Sequence, residues 1–227
     1  MYLLEKALEY IFVPSCGICG KLGEGYLCEN CAKQMEKYTI NEINNLRIQN
    51  KKISNNSNQF VGDIETMHIF KYKELIRETI LQYKFNDKPY LYKTFCEFIV
   101  KNKKAFDFIK SYDIIIPVPM YKTKLQKRGY NQSELLAREL AEKLEINIYK
   151  DVLGKIKNNQ IQSSLNKIER ENNIKNVYKL MNSSKIYNKK VLIFDDIYTT
   201  GATTMECARV IEKAGVKKIG ILTLAKD

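Results

Sequence analysis

Residues 191–204 read Val-Leu-Ile-Phe-Asp-Asp-Ile-Tyr-Thr-Thr-Gly-Ala-Thr-Thr, and they limit the fold more than any other stretch of the chain. Four consecutive apolar residues, Val191–Phe194, suit a strand buried on both faces of a parallel sheet. The acidic pair Asp195 and Asp196 then falls at the carboxyl end of that strand, where open α/β sheets bind ligands. A Thr/Gly turn leads into a helix predicted over Met205–Ala214. Its hydroxyls, backbone N–H groups and helix N-terminus make an anion site suited to a phosphate. Two carboxylates would repel that phosphate if aimed at it, but they accept hydrogen bonds well from sugar hydroxyls. A sugar phosphate with free 2′ and 3′ hydroxyls satisfies both ends. A turn whose aspartates merely cap the helix leaves the second Asp, the flanking threonines and Gly201 unexplained together.

The remaining chain organises around this motif. Apolar spacing predicts helices over Tyr72–Phe85 and Ser133–Leu144, and Gly215 closes the helix that follows the motif. Short apolar runs at Asp113–Val118 and Ile219–Leu224 predict further buried strands. Strand, helix, strand in this order implies right-handed crossovers and an α/β domain with a parallel sheet flanked by helices, spanning 60–227. Residues 41–59 hold seven Asn and few large apolar side chains, and read as a linker. Residues 1–40 form a separate N-terminal module.

That module carries Cys16-Gly-Ile-Cys19 and Cys28-Glu-Asn-Cys31. Two turns presenting two thiolates each can converge on one tetrahedral Zn²⁺, with Gly17 and Gly20 easing the first turn. Cys16, Cys19, Cys28 and Cys31 fill the coordination shell, so such a site is structural. Two disulfides fit an oxidising compartment, and a thioredoxin-like pair needs one Cys-x-x-Cys near a βαβ unit; neither suits tandem pairs in a cytoplasmic chain. Cys96 and Cys207 lie in apolar helical contexts and read as core. His68, the single histidine, has no partner at ligand spacing.

A cytoplasmic location, without membrane insertion, is expected because Met1–Pro14 contains Glu5 and Glu9, lacks a small-residue cleavage site, and no apolar run reaches the roughly 18–20 residues of a span. The net charge is +12, with 38 basic residues of which only six are Arg. Residues 41–227 carry the whole excess, 34 basic against 21 acidic. A basic domain attracts phosphates, small or polymeric, and charge alone does not choose between them.

Upstream, Ile116-Pro117-Val118-Pro119-Met120 ends a strand in a stiff turn, followed by Lys122 and Lys124. In Lys127-Arg128-Gly129-Tyr130-Asn131-Gln132, Arg128 suggests a bidentate phosphate contact on a mobile loop. A helix capped by Asn131 is equally compatible with that run. The 191–204 stretch resembles the loop of type I phosphoribosyltransferases that binds phosphoribosyl pyrophosphate (PRPP). The cysteine pairs, Pro-Val-Pro, Arg-Gly-Tyr-Asn-Gln, then Gln160, Arg170, Asn173 and the 191–204 loop follow the order seen in the ComF family of competence proteins. Lys157 departs from it, since relatives commonly have Arg there.

The resemblance implies a type I phosphoribosyltransferase-like domain behind a zinc finger, and a link to DNA uptake in natural transformation. It implies that Asp195 and Asp196 hold the ribose of PRPP, that Thr199, Thr200, Gly201, Ala202 and Thr203 hold its 5′-phosphate, and that Pro117, Val118 and Pro119 hold the pyrophosphate with Mg²⁺. Asp195, Asp196 and Arg128 are then the catalytic candidates. Purine-salvage transferases resembling this motif carry Asp where Thr199 stands, which disfavours a 6-oxopurine acceptor. Two functions stand side by side: an Mg-dependent phosphoribosyltransferase of unknown acceptor, and a non-catalytic PRPP sensor that engages single-stranded DNA or competence-machinery proteins. An unrelated zinc-ribbon nucleic-acid binder leaves the Asp-Asp…Thr-Thr-Gly loop unexplained.

Overall fold

A computed structural model describes residues 13–40, 42–47, 63–85, 88–158 and 174–227. Its centre is a six-stranded sheet. In chain order the strands are β1 (Ile43–Arg47), β2 (Asp63–Lys71), β3 (Ile114–Pro117), β4 (Asn147–Ile148), then β7 (Lys190–Tyr198) and β8 (Lys218–Lys226). In space they run β1-β2-β8-β7-β3-β4, parallel throughout except for β1 against β2. A separate antiparallel ribbon pairs β5 (Leu153–Lys155) with β6 (Tyr178–Leu180).

Side chains of the central strands alternate between two cores, as a pleated sheet covered on both faces requires. Leu192 and Phe194 of β7 face one layer, Val191 and Ile193 the other. The first layer is built by α2 (Glu74–Phe85), α3 (Leu91–Lys101), α4 (Lys103–Lys110) and α6 (Gln132–Lys143). The second holds α7 (Ala202–Glu212) and the β5–β6 ribbon. Burying a side chain such as Phe194, 1% exposed, contributes roughly 1.5–3 kcal/mol, so the hydrophobic central strands anchor the sheet.

Two expectations change. Residues 41–59 were expected to form a linker, but β1 lies within them, hydrogen-bonded antiparallel along β2. Asn is a poor strand former; pairing with a long buried neighbour overrides that preference at a sheet edge. The remainder of the stretch lies outside the described residues, as do Gln160, Arg170 and Asn173. The run Lys122–Arg128, expected as a mobile loop, is the helix α5. Its Lys, Leu, Gln and Arg are good helix formers, and Gly129 closes it in the left-handed conformation at φ 82°. Asn131 does cap α6, its side chain accepting from the Ser133 N–H at 3.1 Å.

The cysteine segment packs directly on the sheet's helical layer. Helix α1 (Glu29–Glu36) follows it, and Cys16, Leu27, Cys28, Cys31 and Met35 share the core of α3 and β2. Tyr26 is clamped on α3: its carbonyl accepts from the Thr94 hydroxyl at 2.8 Å and its hydroxyl accepts from Lys93 Nζ at 2.8 Å.

Candidate functional site

Strand β3 accompanies β7 only as far as Pro117 opposite Phe194, whereas β8 continues alongside β7 to Tyr198. The Pro-Val-Pro turn peels away at that point, its Val118 N–H still bonded to the Phe194 carbonyl at 2.9 Å. Beyond it, one edge of β7 lies open. The chain leaves β3 toward β4 on one side and leaves β7 toward β8 on the other, so this crevice is the topological switch point of the sheet. Asp195 and Asp196 occupy it.

Both carboxylates are deeply set and each is held through one named oxygen. Asp195 Oδ1 accepts from the Ser133 hydroxyl at 3.1 Å and from the Asp196 N–H at 2.9 Å. Asp196 Oδ2 accepts from Gln132 Nε2 at 3.0 Å and pairs with Lys84 Nζ at 2.9 Å. Burial, followed by the neighbouring charge of Asp196, pushes the Asp195 carboxyl up to about 7, against the pull of the Asp196 N–H, Lys84 and Ser133.

The turn after the acids ends at Gly201, with φ +75°, as the N-cap of α7. Glycine is required there twice over. The left-handed backbone strains other residues, and a Cβ would collide with the Tyr198 hydroxyl beneath the turn. The first-turn N–H groups of an α-helix project from its N-terminus, and Thr199 and Thr200 border that end. Thr204 bonds back to the Gly201 carbonyl at 3.2 Å. Tyr178 of the β5–β6 ribbon is buried, and that burial pushes its hydroxyl well above the ordinary tyrosine range. Lys155 of that ribbon is held below the ordinary lysine range by burial and by Lys124, while Asp195 pulls the other way.

The structure thus gathers Asp195, Asp196, Thr199–Thr203 and the Pro117–Pro119 turn around one crevice. Arg128 is placed differently. It ends α5 with its guanidinium 4.9 Å over the ring of Phe85, next in sequence to Lys84. Lys84, Ser133 and Lys155 were not singled out by the sequence, and Gln132 only as a letter in a motif. Lys84 is one of many lysines, and nothing local marks it. Lys157 is exposed. His68 is buried against Thr223 at 2.7 Å, its ring 4.5 Å from that of Tyr198; burial and then Lys226 lower it to about 4. It is a neutral packing residue beneath the loop. Cys96 and Cys207 are buried, as expected of core residues.

In the second cluster, the sulfurs of Cys16, Cys19, Cys28 and Cys31 lie within 4.8 Å of one another. Cys19 and Cys28 are 3.7 Å apart, close to the ~3.8 Å edge of a tetrahedron with 2.3 Å metal–sulfur bonds. The first pair sits on a turn closed by the Gly20 N–H to the Cys16 carbonyl, whereas Cys28 is the N-cap of α1 and Cys31 lies in its first turn. Burial opposes the Cys16 thiolate, but N–H groups of Cys19, Cys28 and Ile18 outweigh it and bring the group down to about 7. Four soft donors in this geometry can hold a metal ion.

A family model described as the phosphoribosyl transferase domain matches residues 130–227. Competence protein F of Haemophilus influenzae is 27% identical over 219 residues, covering 94% of this chain and 85% of that protein. Competence protein ComFC of Streptococcus pneumoniae is 30% identical over 158 residues, 70% of this chain and 66% of that protein. ComFC of Bacillus subtilis is 24% identical over 232 residues, 100% of this chain and 83% of that protein. Among the described residues no helix is long and apolar enough to cross a membrane. With a parallel sheet flanked by helices, the acid–Thr–Gly loop at its switch point and a four-cysteine cluster beside it, the chain belongs to the ComF family of competence proteins, of the ComFC type, with a type I phosphoribosyltransferase domain.

Proposed function

We propose that the crevice binds PRPP and that the protein uses this binding in the cytoplasm to support DNA uptake. One observation carries the reading: two carboxylates at the carboxyl end of β7 stand a few residues before a left-handed glycine that opens α7, at the switch point of the sheet. In this arrangement Asp195 and Asp196 accept hydrogen bonds from the ribose 2′ and 3′ hydroxyls. Thr199–Thr203 and the α7 N-terminus take the 5′-phosphate. The pyrophosphate lies toward Pro117–Pro119, with Lys155 and the rim residue Arg128 as cationic neighbours. Mg²⁺ bound with the pyrophosphate would neutralise it as a leaving group. Departure of pyrophosphate from C1 builds negative charge on its oxygens, which fixed cations stabilise.

The four cysteines are assigned a structural Zn²⁺. Four thiolates leave no coordination position for a catalytic water.

A specific observation also favours the binding role over turnover. Helix α5 buries none of its side chains and carries Lys122, Lys124, Lys127 and Arg128, beside the PRPP turn. That surface suits single-stranded DNA or an acidic partner of the competence machinery. Calorimetry of the full chain with PRPP and Mg²⁺, followed by assay of pyrophosphate release across a panel of acceptors, tests the proposal. Saturable binding is expected; no binding at millimolar PRPP overturns the site, and binding without release for any acceptor selects the sensor.

A further inference from the structure

Lys84 lies well outside residues 130–227, the part of the chain that matches the phosphoribosyl transferase domain. It nevertheless reaches Asp196, and we propose that it is a positioning residue for the PRPP site, fixing the Asp196 carboxylate in place beside Asp195. The inference rests on the PRPP reading above and adds a component from another part of the chain.

The geometry is specific. Lys84 Nζ and Gln132 Nε2 converge on the same atom, Asp196 Oδ2, at 2.9 and 3.0 Å. With Oδ2 so held, Oδ1 is the oxygen that a ribose hydroxyl would meet. The Lys84 and Asp196 side chains are 14% and 15% exposed, so water screens the pair weakly. Two helices remote in sequence must agree for this to happen, and a pair of tyrosines ties them. The Tyr83 hydroxyl, fully buried, donates to the Gln132 carbonyl at 2.7 Å. The Tyr130 hydroxyl donates back to the Tyr83 carbonyl, and the two rings stack with centroids 6.2 Å apart. The clasp locks the last turn of α2 to the first turn of α6, the two turns that supply Lys84 and Gln132.

A charge is needed at that spot because two adjacent carboxylates in a buried crevice repel each other and resist ionisation. Lys84 is the ion-paired cation among the groups around them. The others are Lys155 from β5, Tyr83 from α2, Tyr178 from β6, Cys207 from α7 and the neutral Gln132 and Ser133 from α6. Accepting hydrogen bonds from ribose hydroxyls favours the ionised pair, so a residue that favours ionisation extends binding to lower pH.

The test uses the full chain, with Lys84→Met and Lys84→Arg beside the wild type. Far-UV circular dichroism and thermal melting establish that each variant is folded. Carbon-13 carboxyl NMR of the ligand-free protein should show the Asp195 titration moved to higher pH in Lys84→Met, because Lys84 pulls that carboxyl down, and restored toward wild type in Lys84→Arg. PRPP affinity at pH 7 should fall about tenfold or more in Lys84→Met, the scale of one charge-assisted hydrogen bond, with the acidic limb of the binding profile moved upward. An unmoved carboxyl titration in folded Lys84→Met overturns the inference whatever happens to PRPP. A moved titration with unchanged PRPP affinity also overturns it, because the residue then tunes the acids without serving the ligand. Absence of PRPP binding by the wild type removes the reading on which the inference rests. If Lys84→Met does not fold, Tyr83→Phe takes its place. Loss of the clasp should loosen Lys84 and weaken PRPP binding in the same direction, and an unchanged affinity counts against the proposal.

Discussion

The cysteine cluster and the carboxylate crevice are both polar sites on one body, yet they are assembled in opposite ways. All four cysteines lie between residues 16 and 31, and one turn plus one helix start bring their sulfurs within 4.8 Å. The crevice draws Lys84, Pro117, Gln132, Ser133, Lys155 and Asp195–Gly201 from elements spread over more than a hundred residues. A local site can be organised by its ligand and a few hydrogen bonds. A distributed site requires the sheet, both helical layers and the tyrosine clasp to be in place first. Local sites are therefore expected to fail by losing their metal, and distributed ones by losing a single contact.

Metal removal should produce the largest effect. Structural zinc sites in zinc-finger peptides contribute roughly 10–16 kcal/mol of apparent binding free energy. Protein purified without chelator should hold about one zinc per chain, and stripping it should markedly lower the melting temperature. Because Cys16, Cys28, Cys31 and Met35 share the core beneath α3, part of the helical layer should loosen along with the cysteine segment. A metal-free protein that melts like the native one would refute the idea that the cluster is structural.

Next in size is the double substitution Asp195→Asn with Asp196→Asn. Each lost charge-assisted hydrogen bond is worth roughly 1.5–3 kcal/mol, so PRPP affinity should drop well over tenfold while the circular dichroism spectrum stays native. Equal calorimetric affinities for variant and wild type would mean that the loop does not hold the ribose.

A smaller effect follows from the titration of Asp195, raised from 3.8 to about 7 by burial and by Asp196. At low pH the proton is bound in folded and unfolded chains alike. As pH rises, the unfolded chain releases it first while the folded protein retains it. Stability is therefore lost between about pH 4 and pH 7 in the ligand-free protein. Asp195→Asn abolishes that slope, and at pH 8 it should be more stable than wild type by on the order of 2 kcal/mol, with little difference at pH 4. Denaturant midpoints at the two pH values decide the matter; a variant less stable at both would show that the carboxylate supports the fold.

The smallest effect concerns α5. If its lysines contact single-stranded DNA, the logarithm of affinity should fall with the logarithm of salt by about 0.7 per phosphate neutralised. Replacing Lys122, Lys124 and Lys127 with Ala should flatten that slope by about 2 and leave the fold intact, since none of them is buried. A slope that does not change places the DNA contact elsewhere or assigns the uptake role to protein partners.

The two regions also differ in how far the sequence disclosed them. The convergence of the four cysteines was legible from spacing alone, but the reason for Gly17 was not. It was read as easing a turn, like Gly20 with its φ of +77°. In the fold, a Cβ on Gly17 would run into Thr94 and Leu91 of α3. Likewise, Arg128 stood out because arginines are scarce, yet it stacks on Phe85, while the unremarkable Lys84 next to that ring reaches the acids.

By itself, the sequence determined what depends on neighbours along the chain. Those features are the apolar run of β7 that ends in two aspartates, the Thr-Gly turn into α7, the cap at Asn131 and the convergence of the four cysteines. Each follows from spacing, backbone preference and local hydrogen bonding within a few residues. Only the tertiary structure decided which cation faces Asp196, that β1 extends the sheet from an Asn-rich stretch, and that the cysteine segment rests on α3. Those outcomes depend on which distant surfaces pack together, and packing is set by the shape and burial of whole layers, for which a single residue type carries no signal.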